Sequence, residues 1–285
     1  MQQELCFSDP TWFMTFPHRV MPLQDEWLSG LLLRCDEVNH WESRTTLTHV
    51  LHPGPEKFHR CWRTETPNLT VIQPSSLNLD SLAQFLALPV SALLATTYHT
   101  ELARLYGESK LHPKLLNLSY SLCLCPQCLA EDRILKRTLT LPHITHCPAH
   151  LLTLQTQCQC GAPFRLFHRQ ALPFTCYTCG LDWSELPRVE VVPEVLVLEQ
   201  NWLVWYEFFF SQGTYAIMRE ARRLMQLSWY EQFPLGDLVT LLVEHGYSPQ
   251  DVLNSMKRVD LFSQLWMGRS SATVLPLDDK EENAL

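Results

Sequence analysis

The sequence predicts a mainly α protein with small zinc-ribbon β elements. It divides into an N-terminal helical, helix-turn-helix-like part (1–110), a tandem metal-binding middle (111–188), a C-terminal helical part (189–275) and an acidic tail (276–285). Three observations lead there. Apolar residues recur at helical spacing on both sides of the middle. Eight of the eleven cysteines fall between positions 123 and 179. Nine glycines are few and nineteen prolines are dispersed, so no low-complexity stretch or long linker interrupts the chain. At 285 residues and 46% hydrophobic, the chain can build two or three cores.

The first helix is read from MPLQDEWLSGLLLRCDEVNHW. Pro22 and acidic residues open it, and Trp27, Leu28, Leu31, Leu32, Cys35 and Val38 share one side. In NLDSLAQFLALPVSALLATTYH a short helix, a break at Pro89 and a second short helix place Leu79, Leu82, Phe85, Leu86, Val90, Leu93 and Leu94 inward. That is helix-turn-helix rhythm. The second helix would present Ser91, Ala92, Ala95, Thr96 and Thr97, with no Arg or Lys to reach a phosphate or a guanine edge. A packing or protein-docking role is expected there.

Eleven cysteines call for a use other than disulfides, because a reducing compartment keeps thiols free and an odd number cannot pair completely. The N-terminal stretch MQQELCFSDPTWFMTF lacks the pattern of a secretory signal, and VLVLEQNWLVWYEFFF is broken by Glu199, Gln200 and Asn201. Both predict a soluble cytoplasmic protein with no membrane partner. Cys6, Cys35 and Cys61 stand alone and read as small buried apolar residues. The rest run Cys125-x2-Cys128, then Cys147-x2-His150, Cys158-x-Cys160 and Cys176-x2-Cys179, with Cys123 just ahead.

Paired ligands so spaced turn toward one point from a tight knuckle, and two knuckles complete a tetrahedron. The spacing therefore predicts two structural zinc ions, one on Cys125, Cys128, Cys147 and His150 and one on Cys158, Cys160, Cys176 and Cys179. Cys123 is an alternative to Cys125, and His143 and His146 read as surface residues or as neighbours lying behind the ligands of the first site. Four protein ligands leave no open position for water or substrate. HExxH, zinc-deaminase, phosphate-loop and GxSxG patterns are absent, and nothing in the scattered Asp and Glu marks a nuclease triad. The expectation is a protein that is not an enzyme and has no catalytic residues.

Past residue 190, EVLVLEQNWLVWYEFFFSQ, TYAIMREARRLMQLSW, PLGDLVTLLVEHGY and SPQDVLNSMKRVDLFSQLW are each helix-length. Ser248, Pro249 and Asp251 form a capping-box opening for the last. Trp202, Trp205, Tyr206, Phe208, Phe209 and Phe210 cover more than one face of their helix, which suits core first and a partner surface second. The net charge of −8 weighs against a simple nucleic-acid binder. Residues 110–190 alone carry +3, so Arg133, Lys136 and Arg137 are the nucleic-acid candidates, beside the reading of a solvated helix face.

Taken together, MPLQDEWLSGLLLRCDEVNH and CPQCLAED…LPHITHCPAHLLTLQTQCQCGAPF…CYTCG resemble the TniQ/TnsD family of transposition target selectors, over roughly residues 17–180. The first matches a Pro-x-x-x-Glu-x-Leu-x-x-x-Leu-x-Arg…Asn opening, with Glu26-Trp27-Leu28 where Glu-Ser-Leu is usual. The second matches paired zinc motifs, with Cys-x-Cys where Cys-x2-Cys is common. The resemblance implies an adaptor joining a targeting module to the AAA+ regulator TnsC, which recruits the transposase. Short TniQ members work with a CRISPR guide-RNA effector complex, Cascade-like or single-effector, whereas longer TnsD members bind an attachment site directly. About a hundred residues beyond the zinc region and a negative net charge favour the short kind. Target DNA or guide RNA and a homodimer are further expected contacts.

Overall fold

The computed structural model describes residues 17–50, 77–107, 113–116, 122–168, 171–227 and 233–258. Cys6, Cys61, the acidic tail and the last predicted helix past residue 258 lie outside them. The described residues are mainly helical, with one two-stranded sheet. In chain order the helices are α1 (Leu28–Val38), α2 (Thr45–Val50), α3 (Leu79–Leu86), α4 (Val90–Leu94), α5 (His99–Tyr106), α6 (Pro126–Asp132), α7 (Pro193–Gln212), α8 (Tyr215–Leu224), α9 (Leu235–Glu244) and α10 (249–258). Strands β1 (His146–Cys147) and β2 (Leu152–Thr153) pair antiparallel in the middle. No helix among the described residues is long and apolar enough to cross a membrane.

Helix α1 begins without a side-chain cap. Its first amides are orphan donors by construction, and remote carbonyls take them: Trp27 N donates to Leu135 O at 2.8 Å and Leu28 N to Thr96 O at 3.0 Å. The residues that carry the family resemblance lock the same helix. Glu26, fully buried, accepts from Arg34 Nε at 2.7 Å, and Arg34 also donates to Met21 O at 2.6 Å. Burial pushes the Glu26 carboxyl up, while the Arg34 hydrogen bonds and charge oppose that rise. Asn39 closes the other end, donating to Cys35 O and His18 O and accepting from His18 N. Trp27, Leu28, Leu31, Leu32 and Cys35 are buried as expected, but Val38 is exposed, and Leu33 and Asp36 are buried instead. The reason is that α1 is covered on nearly all sides and not on one face.

Asp36 is the buried polar anchor of the α1–α2 corner, accepting from Arg44 N and Thr46 N at 2.8 and 2.6 Å. Burial lifts its pKa to about 6 against those bonds. The middle of the chain presses on α1 from the other side. A Cβ on Gly30 would sit 3.0 Å from Leu135 Cβ and 3.2 Å from Leu135 N. Gly30→Val is therefore expected to cost about 2 kcal/mol by overpacking, read as an earlier urea midpoint with an unchanged slope.

Helices α3 and α4 are joined through Ala87 in the left-handed region, φ 54, and Asn78 caps α3 by accepting from Ser81 N. The expected second helix of a helix-turn-helix is only Val90–Leu94. Thr96 and Thr97, expected to face outward, are buried, their hydroxyls donating to Leu93 O and Leu94 O. Leu82, Phe85 and Leu86 of α3 and Leu93 of α4 are buried in the core.

Helix α7 supplies the C-terminal core. Trp205, Tyr206, Phe208 and Phe209 are buried, and Phe210 stacks on Tyr98 with centroids 4.7 Å apart. Arg104 on α5 donates to the carbonyls of Phe209, Phe210 and Ser211, placing a cation among the last backbone acceptors of α7. The aromatic group is thus core, the first of the two uses its composition suggested.

Candidate metal centres

The first centre is built from a helix start and a hairpin. Pro126 takes the first position of α6, where a missing N–H costs nothing, so Cys125 precedes the helix and Cys128 follows one turn later. The opposing knuckle is the tight turn between β1 and β2, in which Leu151 N returns to Cys147 O at 2.8 Å and Leu151 takes φ 54. Leu124 and Gln155 exchange backbone hydrogen bonds and draw the two halves together. Cys128 Sγ is 3.6 Å from Cys147 Sγ, and His150 Nδ1 lies 3.4, 3.3 and 3.3 Å from the sulfurs of Cys125, Cys128 and Cys147.

The second centre is two near-equivalent turns. Cys158 N donates to Ala162 O while Gly161 N returns to Cys158 O; Cys176 N donates to Leu181 O while Gly180 N returns to Cys176 O. Gly161 and Gly180 hold φ 82 and 75, which glycine adopts without strain. Cys158 and Cys179 sulfurs are 3.6 Å apart, and those of Cys160 and Cys176 3.7 Å. The tighter Cys-x-Cys spacing closes as well as the others.

All eight predicted ligands are brought together in the two predicted sets, the donor atoms of each set within 4.8 Å of one another. A tetrahedral ion with metal–sulfur bonds of about 2.3 Å requires sulfurs about 3.8 Å apart, close to the separations seen, so the residues fit a metal. Cys123 lies outside both sets. His143 and His146 do as well: His143 Nε2 meets Thr240 Oγ1 at 2.9 Å, and His146 Nδ1 meets the buried Glu199 at 2.8 Å. Hydrogen bonds from Cys125 and Cys128 pull the Cys147 thiol well below its ordinary range, while the same crowding drives Cys128 far up. Filling the site expels these competing protons.

The centres differ in exposure. Cys125, Cys128 and Cys147 belong to the core, whereas Cys160 and Cys179 are exposed. Metal analysis is expected to find two equivalents per chain, with a chelator emptying the Cys158–Cys179 site first; one equivalent, or simultaneous loss, would contradict two independent centres.

A residue missed in the sequence is Glu131. Its Oε2 is 2.8 Å from His150 Nε2, and Gln127 Nε2 holds the other oxygen at 2.6 Å. A carboxylate there fixes Nε2–H and leaves Nδ1 for the metal. The signal was its place three residues after Cys128 on a helix. Glu131→Ala is expected to weaken metal binding at the first site by about tenfold and leave the second unchanged, as read by chelator competition.

Arg133, Lys136 and Arg137 do not form a helix face, because α6 ends at Asp132 and Arg133 is its left-handed cap, φ 55. Arg133 donates to Glu37 at 2.8 Å and to Asp182 at 2.7 Å, with its guanidinium 4.9 Å from the Phe174 ring centroid. Burial pulls its pKa down, but the two carboxylates outweigh this and raise it. Lys136 is half-buried where its backbone bridges to Glu26. Arg137 pairs with Glu101 at 2.8 Å, donates to Thr97 O and lies over Tyr98. Neither arginine is a solvated cation. They tie α1, α5 and the second centre to the chain between the knuckles.

Among the described residues, fold and site together define a mainly helical arrangement with two clusters, one of three cysteines and a histidine and one of four cysteines, each able to hold a metal ion. Comparison with protein-family models finds no match, and neither does comparison with curated proteins.

Proposed function

We propose that this chain is a non-enzymatic adaptor for transposition targeting, linking a CRISPR guide complex at target DNA to the AAA+ regulator TnsC and so to the transposase. The observation that supports it most is the pair of closed four-donor clusters, in the order and spacing of the tandem motif through which the sequence resembles TniQ/TnsD proteins. Zinc is the metal this reading assigns, since thiolate-rich tetrahedral sets select it. With every position filled by protein, the ions contribute folding free energy and no chemistry.

The test is binding of purified zinc-loaded protein to purified TnsC. The adaptor reading expects a stable complex that survives moderate salt, together with weak, salt-sensitive association with DNA alone. Failure to bind TnsC, combined with a defined footprint on one duplex sequence, would overturn it in favour of a TnsD-like protein that selects its attachment site directly.

A further inference from the structure

We propose that α8, α9 and α10 form a helix-turn-helix unit that seats α10 against duplex DNA. The inference stands on the C-terminal geometry and does not depend on the adaptor reading. Helices α9 and α10 are joined by a short turn, 245–248, in which His245, Gly246 and Tyr247 amides fold back on the carbonyls of Leu241, Val243 and Leu242. Gly246 takes φ 70, the left-handed conformation such a turn demands. Ser248 then starts α10 by donating from N and Oγ to Asp251 Oδ2, both at 2.7 Å, while Asp251 N returns to Ser248 O.

The three helices share an apolar interior: Ile217, Met218 and Ala221 from α8, Leu235, Leu238, Val239 and Leu242 from α9, and Val252 from α10. A polar clasp sets α10 on α8. Ser255 Oγ donates to Glu220 at 2.5 Å and accepts from Arg223 at 2.9 Å. With that side buried, Gln250, Asn254 and Lys257 recur at helical spacing on the exposed side, and Arg258 is exposed beside them.

The chemistry of this face suits a duplex. Gln250 Nε2 donates to Asn254 Oδ1 at 3.0 Å, so two side-chain amides stand together, each with the donor and acceptor that match an adenine edge in the major groove. Lys257 and Arg258, one turn beyond Asn254, are exposed and placed for phosphates. Asp251, the acidic residue on α10, is already engaged by the Ser248 cap. The α3–α4 pair offers none of this: its second helix has no cation, and its threonines are buried.

The experiment is fluorescence anisotropy of the full-length metal-loaded protein with labelled duplexes of differing sequence across a salt series. Log affinity is expected to fall linearly with log salt. In Lys257→Ala/Arg258→Ala, binding at low salt should weaken at least about tenfold and the slope should shrink by about 2, at roughly 0.9 per phosphate contact. Asn254→Ala should keep the slope and narrow the spread of affinities among duplexes. These side chains are exposed, so unchanged thermal unfolding of each variant separates lost contact from lost fold. An unaltered affinity and slope in the double variant would overturn the proposal, as would tighter binding of single-stranded DNA or RNA than of duplex.

Discussion

Cys128→Ser is expected to unfold the middle of the chain and to release α1 with it. Cys128 Sγ sits 3.6 Å from Cys147 Sγ and 3.3 Å from His150 Nδ1, in a site whose three sulfurs belong to the hydrophobic core. Serine is a poor ligand for a thiolate-selective site, and a structural metal can supply about 10–16 kcal/mol where a whole domain is stable by about 5–15. The loss is not confined to the knuckle, because Leu135, which accepts the Trp27 amide, follows α6 directly. The variant should show one metal equivalent, low soluble yield and rapid proteolysis. A well-folded variant with two equivalents would refute the structural role. Cys160→Ser, at an exposed ligand of the second centre, should do less.

The second largest effect is expected from Arg133→Glu. The side chain is 27% exposed, and its guanidinium lies between Glu37, Asp182 and the Phe174 ring. Reversal places three carboxylates together at a half-buried point and removes the cation–π contact. Reversing the charge at this partly buried pair costs about 2–3 kcal/mol after solvent screening, or roughly 4–5 °C in Tm for a chain of this size. Adding Glu37→Arg restores one of the two pairs and should recover part of the loss. A Tm within a couple of degrees of the parent, or no recovery in the double variant, would show that the latch contributes little. The result also separates stability from nucleic-acid binding, for which these arginines were candidates.

What could be read in the sequence, and what could not, follows the range over which each feature is encoded. A metal knuckle is specified within a few residues, so the grouping of all eight candidate ligands was legible, including the irregular Cys158-x-Cys160 pair. The partners of Arg133 lie 96 and 49 positions away, and no local pattern points to them. Thr96 and Thr97 looked like a polar outer face because side-chain polarity was visible while their bonds to Leu93 and Leu94 carbonyls were not. At the other end, α9 and α10 were legible as helices. Their relation was not, since it rests on Gly246 at φ 70 and on the Glu220–Ser255 contact.

The backbone bridge between residues 25–27 and 135–137 has a consequence during synthesis. The ribosome releases Trp27 and Leu28 roughly 100 residues before the carbonyl of Leu135 exists, an interval of about 5–20 s at ordinary elongation rates. Over that time α1, buried on nearly all sides in the finished protein, is an apolar segment without this cover. That cover is complete only after the first knuckle has emerged, so metal supply during translation is expected to influence the yield of folded protein.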